Sequence, residues 1–233
     1  MEFFTRLSES FVANFITDDR WKLLVKGLGV TLEISLFAVI LGSILGIIFA
    51  LAKLSTSRNP FISLLRGFSK GFIDVIRGTP SFVQLLIINF VVFAAIDADK
   101  VVVASIAFAI NSSAYMAEII RAGILSIDKG QTEAGRSLGL THWQTMRYII
   151  FPQAIKNILP ALGNEFIVLI KETSVAGYIG AYELTKASQI ITSRTYNSFW
   201  PLFAIAVMYY IVVKILTIFL NKLERALRKS DIR

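Results

Sequence analysis

Cysteine is absent from the 233 residues, which excludes disulfides, thiolate chemistry and sulfur-ligated metal. Histidine occurs once, at His142, with no second His or carboxylate cluster around it to form a triad or a metal site. Charge is scarce: 17% of the residues are Asp, Glu, Lys or Arg, against about 25% in soluble domains. No G-x-x-x-x-G-K-[ST] phosphate loop occurs, and neither GRSLG nor GTPSF fits it, so the chain is not expected to hydrolyse ATP. The opening MEFFTRLSESFVANFITDDR lacks the basic region, apolar run and small-residue cleavage site of a removed signal peptide.

What the chain has is apolar length. Hydrophobic residues make up 55% of it, gathered in runs near 28–52, 72–96, 101–120, 149–170 and 200–220. Runs of about 20 such residues suffice to cross a hydrocarbon core. The expected fold class is therefore an all-α integral membrane protein with five transmembrane helices. In the second run Arg77, Gly78 and Pro80 interrupt the pattern, and Pro80 must kink or start a helix because it has no amide proton. Gly42 and Gly46 form a G-x-x-x-G face in the first run, suited to close helix contact within the subunit or between copies. The net charge of +8 does not call for nucleic acid, since the basic residues flank the apolar runs. Fifteen of them, in 53–77, 121–156 and the tail, fall on one side of a five-crossing chain, and eight on the other. The richer side is expected to be cytoplasmic, with residues 1–24 outside and a basic, lipid-associated tail at 226–233 inside.

One inner segment has its own order. Asp128 can cap a short helix that ends near Leu138, where Gly139 is free to adopt positive φ. Thr141 can cap the next helix, with Gln144 as its capping-box partner. A helix this short is marginal alone. It must either pack on its own bundle or dock on a soluble partner, and these residues by themselves leave both readings open.

Glu133-Ala134-Gly135, then Gly139, then Ile149-Ile150-Phe151-Pro152 closely resemble the signature loop of membrane subunits of binding-protein-dependent ABC importers. Gly135 stands where that pattern usually has alanine, and Phe151 where leucine is common. Arg77-Gly78-Thr79-Pro80 with Gln84, Ala117 to Ile124, Gly130-Gln131 and Ile170 to Ser174 resemble the polar amino acid branch of that family. The resemblance covers about 25–225 and implies a type I ABC importer transmembrane domain, a non-enzymatic permease in the bacterial cytoplasmic (inner) membrane. It implies a coupling loop at about 128–145, with Glu133, Ala134, Gly135, Arg136, Leu138 and Gly139 engaging an ATPase.

The same resemblance implies the partners: a second permease subunit, identical or homologous, two cytoplasmic ATPase subunits, and an extracytoplasmic amino-acid-binding protein. ATP and Mg would be held by the ATPase, and no cofactor by this chain. A polar amino acid would pass among intramembrane polar groups, for which Gln84, Asn111, Ser112, Ser113, Tyr115 and Glu165 are the candidates, with Asn89 and Asn164 nearby in sequence pattern. Interhelical hydrogen bonding is the competing role for each of them. Glu118 is expected to pair with Arg121 or with the fourth span. Arginine, histidine, lysine, glutamine, glutamate and cystine all remain open as substrates. A secondary transporter, a channel or a structural scaffold are the other classes, but none gives the signature loop a task.

Overall fold

The computed structural model describes residues 2–228, and among these it is helical with no strand. Lys229 and Arg233 of the expected tail lie outside the described residues. The helices are α1 (Glu2–Phe11), α2 (Trp21–Leu54), α3 (Pro60–Arg77), α4 (Ser81–Ile87), α5 (Lys100–Leu125), α6 (Lys129–Ser137), α7 (His142–Thr145), α8 (Phe151–Glu172), α9 (Leu184–Thr195) and α10 (Phe199–Arg228). π-helical turns extend α4 through Val92 and join α7 to α8, and a 3-10 segment, Thr173–Ile179, follows α8. An all-helical chain satisfies its backbone within each segment, which an apolar surrounding demands.

The apolar runs at 28–52, 101–120 and 200–220 are α2, α5 and α10, the three helices among the described residues that are singly long and apolar enough to cross a membrane. α2 begins at Trp21, earlier than its apolar run, because WKLLVKG continues the helix with polar residues on one side. The run at 72–96 is not one straight helix. α3 and α4 are bent by 108° at their junction, and only together do they have spanning length and composition. Gly78 ends α3 by donating its N–H to Asp74 O at 3.0 Å. The Thr79 hydroxyl donates to Val75 O at 2.9 Å, and Pro80 then has no proton with which to continue the ladder. At its other end α3 is started by Asn59, whose side chain accepts the Phe61 N–H at 2.9 Å ahead of Pro60 in the first turn. The fourth expected run is helical as α8, but with Lys156, Asn157, Asn164 and Glu165 it falls below the apolar threshold of the other spans.

The chain divides into two compact units. The first comprises residues up to 38, 81–108 and 168–215. Its core contains Phe15, Leu24, Leu184, Ala187, Ile191 and Ile205. The N-terminal segment is tied to α9 and the start of α10: Thr195 Oγ1 donates to Asn14 Oδ1 at 2.9 Å, Asn197 Nδ2 donates to Ser10 Oγ at 3.0 Å, and Phe11 packs edge-on against Trp200 at 5.4 Å. Glu183, which the sequence did not single out, is fully buried here. It caps α9 by accepting the N–H groups of Thr185 at 2.6 Å and Lys186 at 2.7 Å, and the Tyr209 hydroxyl donates to it at 3.4 Å. Burial pushes its carboxyl above the usual glutamate range, opposed by those backbone donors.

The second unit comprises 39–80, 109–167 and residues from 216 on. Its core runs through Phe49, Ile73, Ala114, Ala117, Ile120, Ile124, Ile150, Ala154 and Ile158. The G-x-x-x-G face of α2 meets α5 within the subunit: a Cβ on Gly46 would lie 2.8 Å from Met116 Cβ and 3.1 Å from Ser113 O. One on Gly42 would lie 3.2 Å from Ala109 O. Below that contact Glu118 pairs with Arg121, one of its two expected partners, and also with Lys53 on α2.

Gly46→Leu is expected to force α2 from α5 and destabilise the protein by about 1–3 kcal/mol, whereas Gly29→Leu, whose Cβ would meet nothing within 4 Å, is expected to be neutral; thermal unfolding in detergent compares the two. Because the folded-state value of Glu183 lies above the 4.5 of the free side chain, its contribution is complete below 4.5 and is lost as pH rises through the raised value. Glu183→Gln is expected to flatten that part of the profile of midpoint against pH; an unchanged slope would assign it to another group.

Candidate functional site

The segment 128–150 lies wholly in the second unit. Asp128 adopts extended backbone and accepts the Gly130 N–H at 2.7 Å, starting α6. Gly139 ends it with φ +80, in the left-handed region that costs a Cβ-bearing residue about 1–2 kcal/mol. Leu140 N donates to Gly135 O at 3.1 Å and Gly139 N to Arg136 O at 3.0 Å, the paired bonds of a Schellman motif. Two residues later Thr141 caps α7: its hydroxyl accepts the Gln144 N–H at 3.3 Å, and its own N–H donates to Gln144 Oε1 at 2.8 Å. Helix, glycine turn and helix form as the caps alone suggest.

The expected coupling residues do not share one face. Glu133, Ala134, Arg136, Leu138 and Gly139 are exposed, Leu138 at 79%. Gly135 is buried against the next helix, where a Cβ would lie 2.7 Å from Thr145 Cγ2 and 3.0 Å from Ile149 Cδ1. The missing methyl therefore serves the fold of the loop, bringing α6 against the helix that follows. Trp143 was missed. At 68% exposure it adds a large apolar surface to the same segment as Leu138. An exposed tryptophan one residue after His142, between a capping threonine and its glutamine, was the available signal. Exposed apolar groups beside Glu133 and Arg136 make a surface suited to a protein partner.

The polar candidates separate. Ser113 is buried and donates to Ile110 O at 2.7 Å within its own helix. Ser112 is buried and donates to Glu165 at 3.5 Å, joining α5 to α8. Tyr115, one turn on, lies under the Arg77 guanidinium at 5.5 Å from the ring centre. Asn111 is buried on α5, and Gln84 is buried on α4 in the first unit. Asn89 accepts from Lys100 at 3.1 Å. Arg77, part of the Arg77-Gly78-Thr79-Pro80 stretch, thus meets one of the candidate groups of α5 through its cation–π contact with Tyr115.

Residues 40–229 match the family described as binding-protein-dependent transport system inner membrane component. The chain belongs to this family. This inner membrane component is 40% identical over 206 residues to a putative glutamine transport system permease protein GlnP of Rickettsia bellii, covering 88% of this chain and 92% of the relative. It is 40% identical over 210 residues to the arginine transport system permease protein ArtQ of Bacillus subtilis, covering 89% and 94%. With the glutamine transport system permease protein GlnP of Escherichia coli K12 it shares 38% over 209 residues.

Among solved structures, an amino acid ABC transporter with histidines superposes with a TM-score of 0.84 at 44% identity, over 91% of this chain and 98% of that one. The inward-facing MetNI methionine ABC transporter shares the fold, with a TM-score of 0.75 at 21% identity over 89% of this chain and 97% of that one. The inner membrane component thus has the type I importer permease fold expected from its signature loop, and it is a multi-pass permease subunit rather than an ATPase.

Proposed function

We propose that this permease forms the pathway for ATP-driven import of a polar amino acid, with a binding protein delivering substrate and separate ATPase subunits supplying the power. Relatives of this length and identity are named glutamine and arginine permeases, which supports the substrate class. The observation that carries the coupling role is the α6–Gly139–α7 loop: a short helix locked by caps at both ends, with Glu133, Ala134, Arg136, Leu138 and Trp143 turned outward. A helix held this firmly transmits displacement as a rigid body, since the Asp128 cap and the Schellman bonds fix its two ends. Gly135 contributes by seating the helix, not by touching the ATPase.

In this reading the chain crosses five times, with the bent α3–α4 pair as one crossing and α8 as another. The loop faces the cytoplasm, residues 1–24 lie outside, the tail after 225 lies inside, and two permease subunits face one another. α8 carries polar residues because it borders the pathway instead of lipid. ATP and Mg are bound by the partner ATPases.

Arg77 and Glu165 are both anchored to α5, through Tyr115 and Ser112. Those anchors are one turn apart, about 4.5 Å along the helix. A cation and a carboxylate at such spacing suit the carboxylate and ammonium of an α-amino acid, which share one carbon.

With the ATPases and loaded binding protein in liposomes, Gly139→Val is expected to abolish most stimulated ATP hydrolysis and uptake while the subunit still inserts; full stimulation would remove the loop from the coupling path. Arg77→Gln is expected to weaken equilibrium binding of the amino acid to the receptor-free complex by roughly 10- to 100-fold, the value of a charge-assisted hydrogen bond. Binding of the amino acid amide, which lacks the carboxylate, should be unaffected; equal losses for both ligands would assign Arg77 a packing role.

A further inference from the structure

A cavity of about 520 Å³ opens in the second unit between the end of α2 and the α6–α7 loop. Its floor is apolar, from Ile124, Met146 and Ile150. Its rim carries three consecutive hydroxyl residues, Ser55, Thr56 and Ser57, which follow the last residue of α2. The lining also includes Lys129 and His142, the latter being the histidine that neither coupling nor substrate passage employs. None of the residues that line the cavity is acidic. Asp128, next to Lys129, turns its carboxylate to the Gly130 N–H at 2.7 Å and so caps α6.

We infer that this cavity binds an anionic phospholipid of the adjoining leaflet, headgroup phosphate at Lys129, His142 and the Ser55–Ser57 hydroxyls, hydrocarbon on the Ile124–Ile150 floor. The volume falls in the range of about 300–1,000 Å³ typical of small-molecule sites. Its two halves differ in chemistry as an amphiphile does: a basic, hydroxyl-rich rim over an apolar floor. Its position, at the end of the spanning helix α2, is where headgroups lie if α2 crosses the bilayer. Lys129 and Thr132 belong to α6 and His142 to α7, so an occupant would bridge the α2–α3 connection and the docking loop. Bound lipid would then stiffen the seat of that loop and raise the efficiency with which ATP hydrolysis follows receptor binding. This inference rests on the coupling role proposed above, while its lipid-binding arm stands without it.

The test uses the complete importer, permease with ATPases and binding protein, in nanodiscs of phosphatidylcholine with or without phosphatidylglycerol. Native mass spectrometry of wild-type complex is expected to retain phosphatidylglycerol, and the Lys129→Gln/His142→Gln double variant to retain several-fold less. Phosphatidylglycerol is expected to raise receptor-stimulated ATP hydrolysis several-fold in wild type and little in the double variant, with Lys129→Arg behaving as wild type. Equal lipid retention by wild type and double variant would overturn the site. Stimulation by inorganic phosphate in phosphatidylcholine alone would overturn the lipid assignment in favour of a soluble anion. An equal loss in Lys222→Gln, on α10 and outside the cavity lining, would assign the effect to general attraction between basic residues and an anionic surface, and would likewise overturn it. A wild-type complex that binds phosphatidylglycerol yet imports no amino acid would fault the transport reading and leave the site standing.

Discussion

The second unit depends on how closely α2 can approach α5. At Gly46 no side chain separates the helices, and the Met116 Cβ and Ser113 carbonyl occupy the space a methyl would need. Between helices in an apolar solvent there is little hydrophobic drive, so dispersion contact at short range carries much of the association. That approach has a second consequence at the end of the helices. It brings Lys53 to Glu118, which also holds Arg121, and so places a paired charge cluster in the last turns of α5, ahead of the α6–α7 loop. A carboxylate with only 17% of its side chain exposed is tolerable there because two cations share it.

The α6–α7 loop is built by the opposite logic, with its bonds made locally and Glu133, Arg136, Leu138 and Trp143 exposed. Asp128, Gly139, Thr141 and Gln144 satisfy the helix ends without help from the rest of the chain. Gly135 seats α6 on the helix that follows, giving up helix propensity of about 1 kcal/mol for contact with Thr145 and Ile149, while Met146, Ile149 and Ile150 join the core of the second unit. Such a loop holds its shape while its exposed side carries Leu138 and Trp143, residues that a solitary protein gains nothing by exposing.

The candidate pathway shows how burial divides residues of similar chemistry. Ser113 spends its hydroxyl on its own helix, a common and inert arrangement, while Ser112 reaches Glu165 on α8. Arg77 stands at the end of α3, where a helix C-terminus favours a cation, and it covers Tyr115. The break at Gly78–Pro80 is what frees that end. A helix running on through residue 80 would have no terminus there.

The sequence by itself determined the helical class, the three strongest spans, and the caps and glycine turn of the α6–α7 loop. Each of these is set by neighbours within a few residues: apolar length, side-chain oxygens at helix starts, positive φ at Gly139. It also carried enough of the signature pattern to indicate the family. It did not determine the 108° bend between α3 and α4, since interruption by Pro80 indicates a break but not an angle. Nor did it determine the inward role of Gly135, the partner of Glu118 on α2, the burial of Glu183 or the pairing of Arg77 with Tyr115. Those depend on which distant segments meet, and packing chooses among many pairings of equal local merit. Only the tertiary structure decided them.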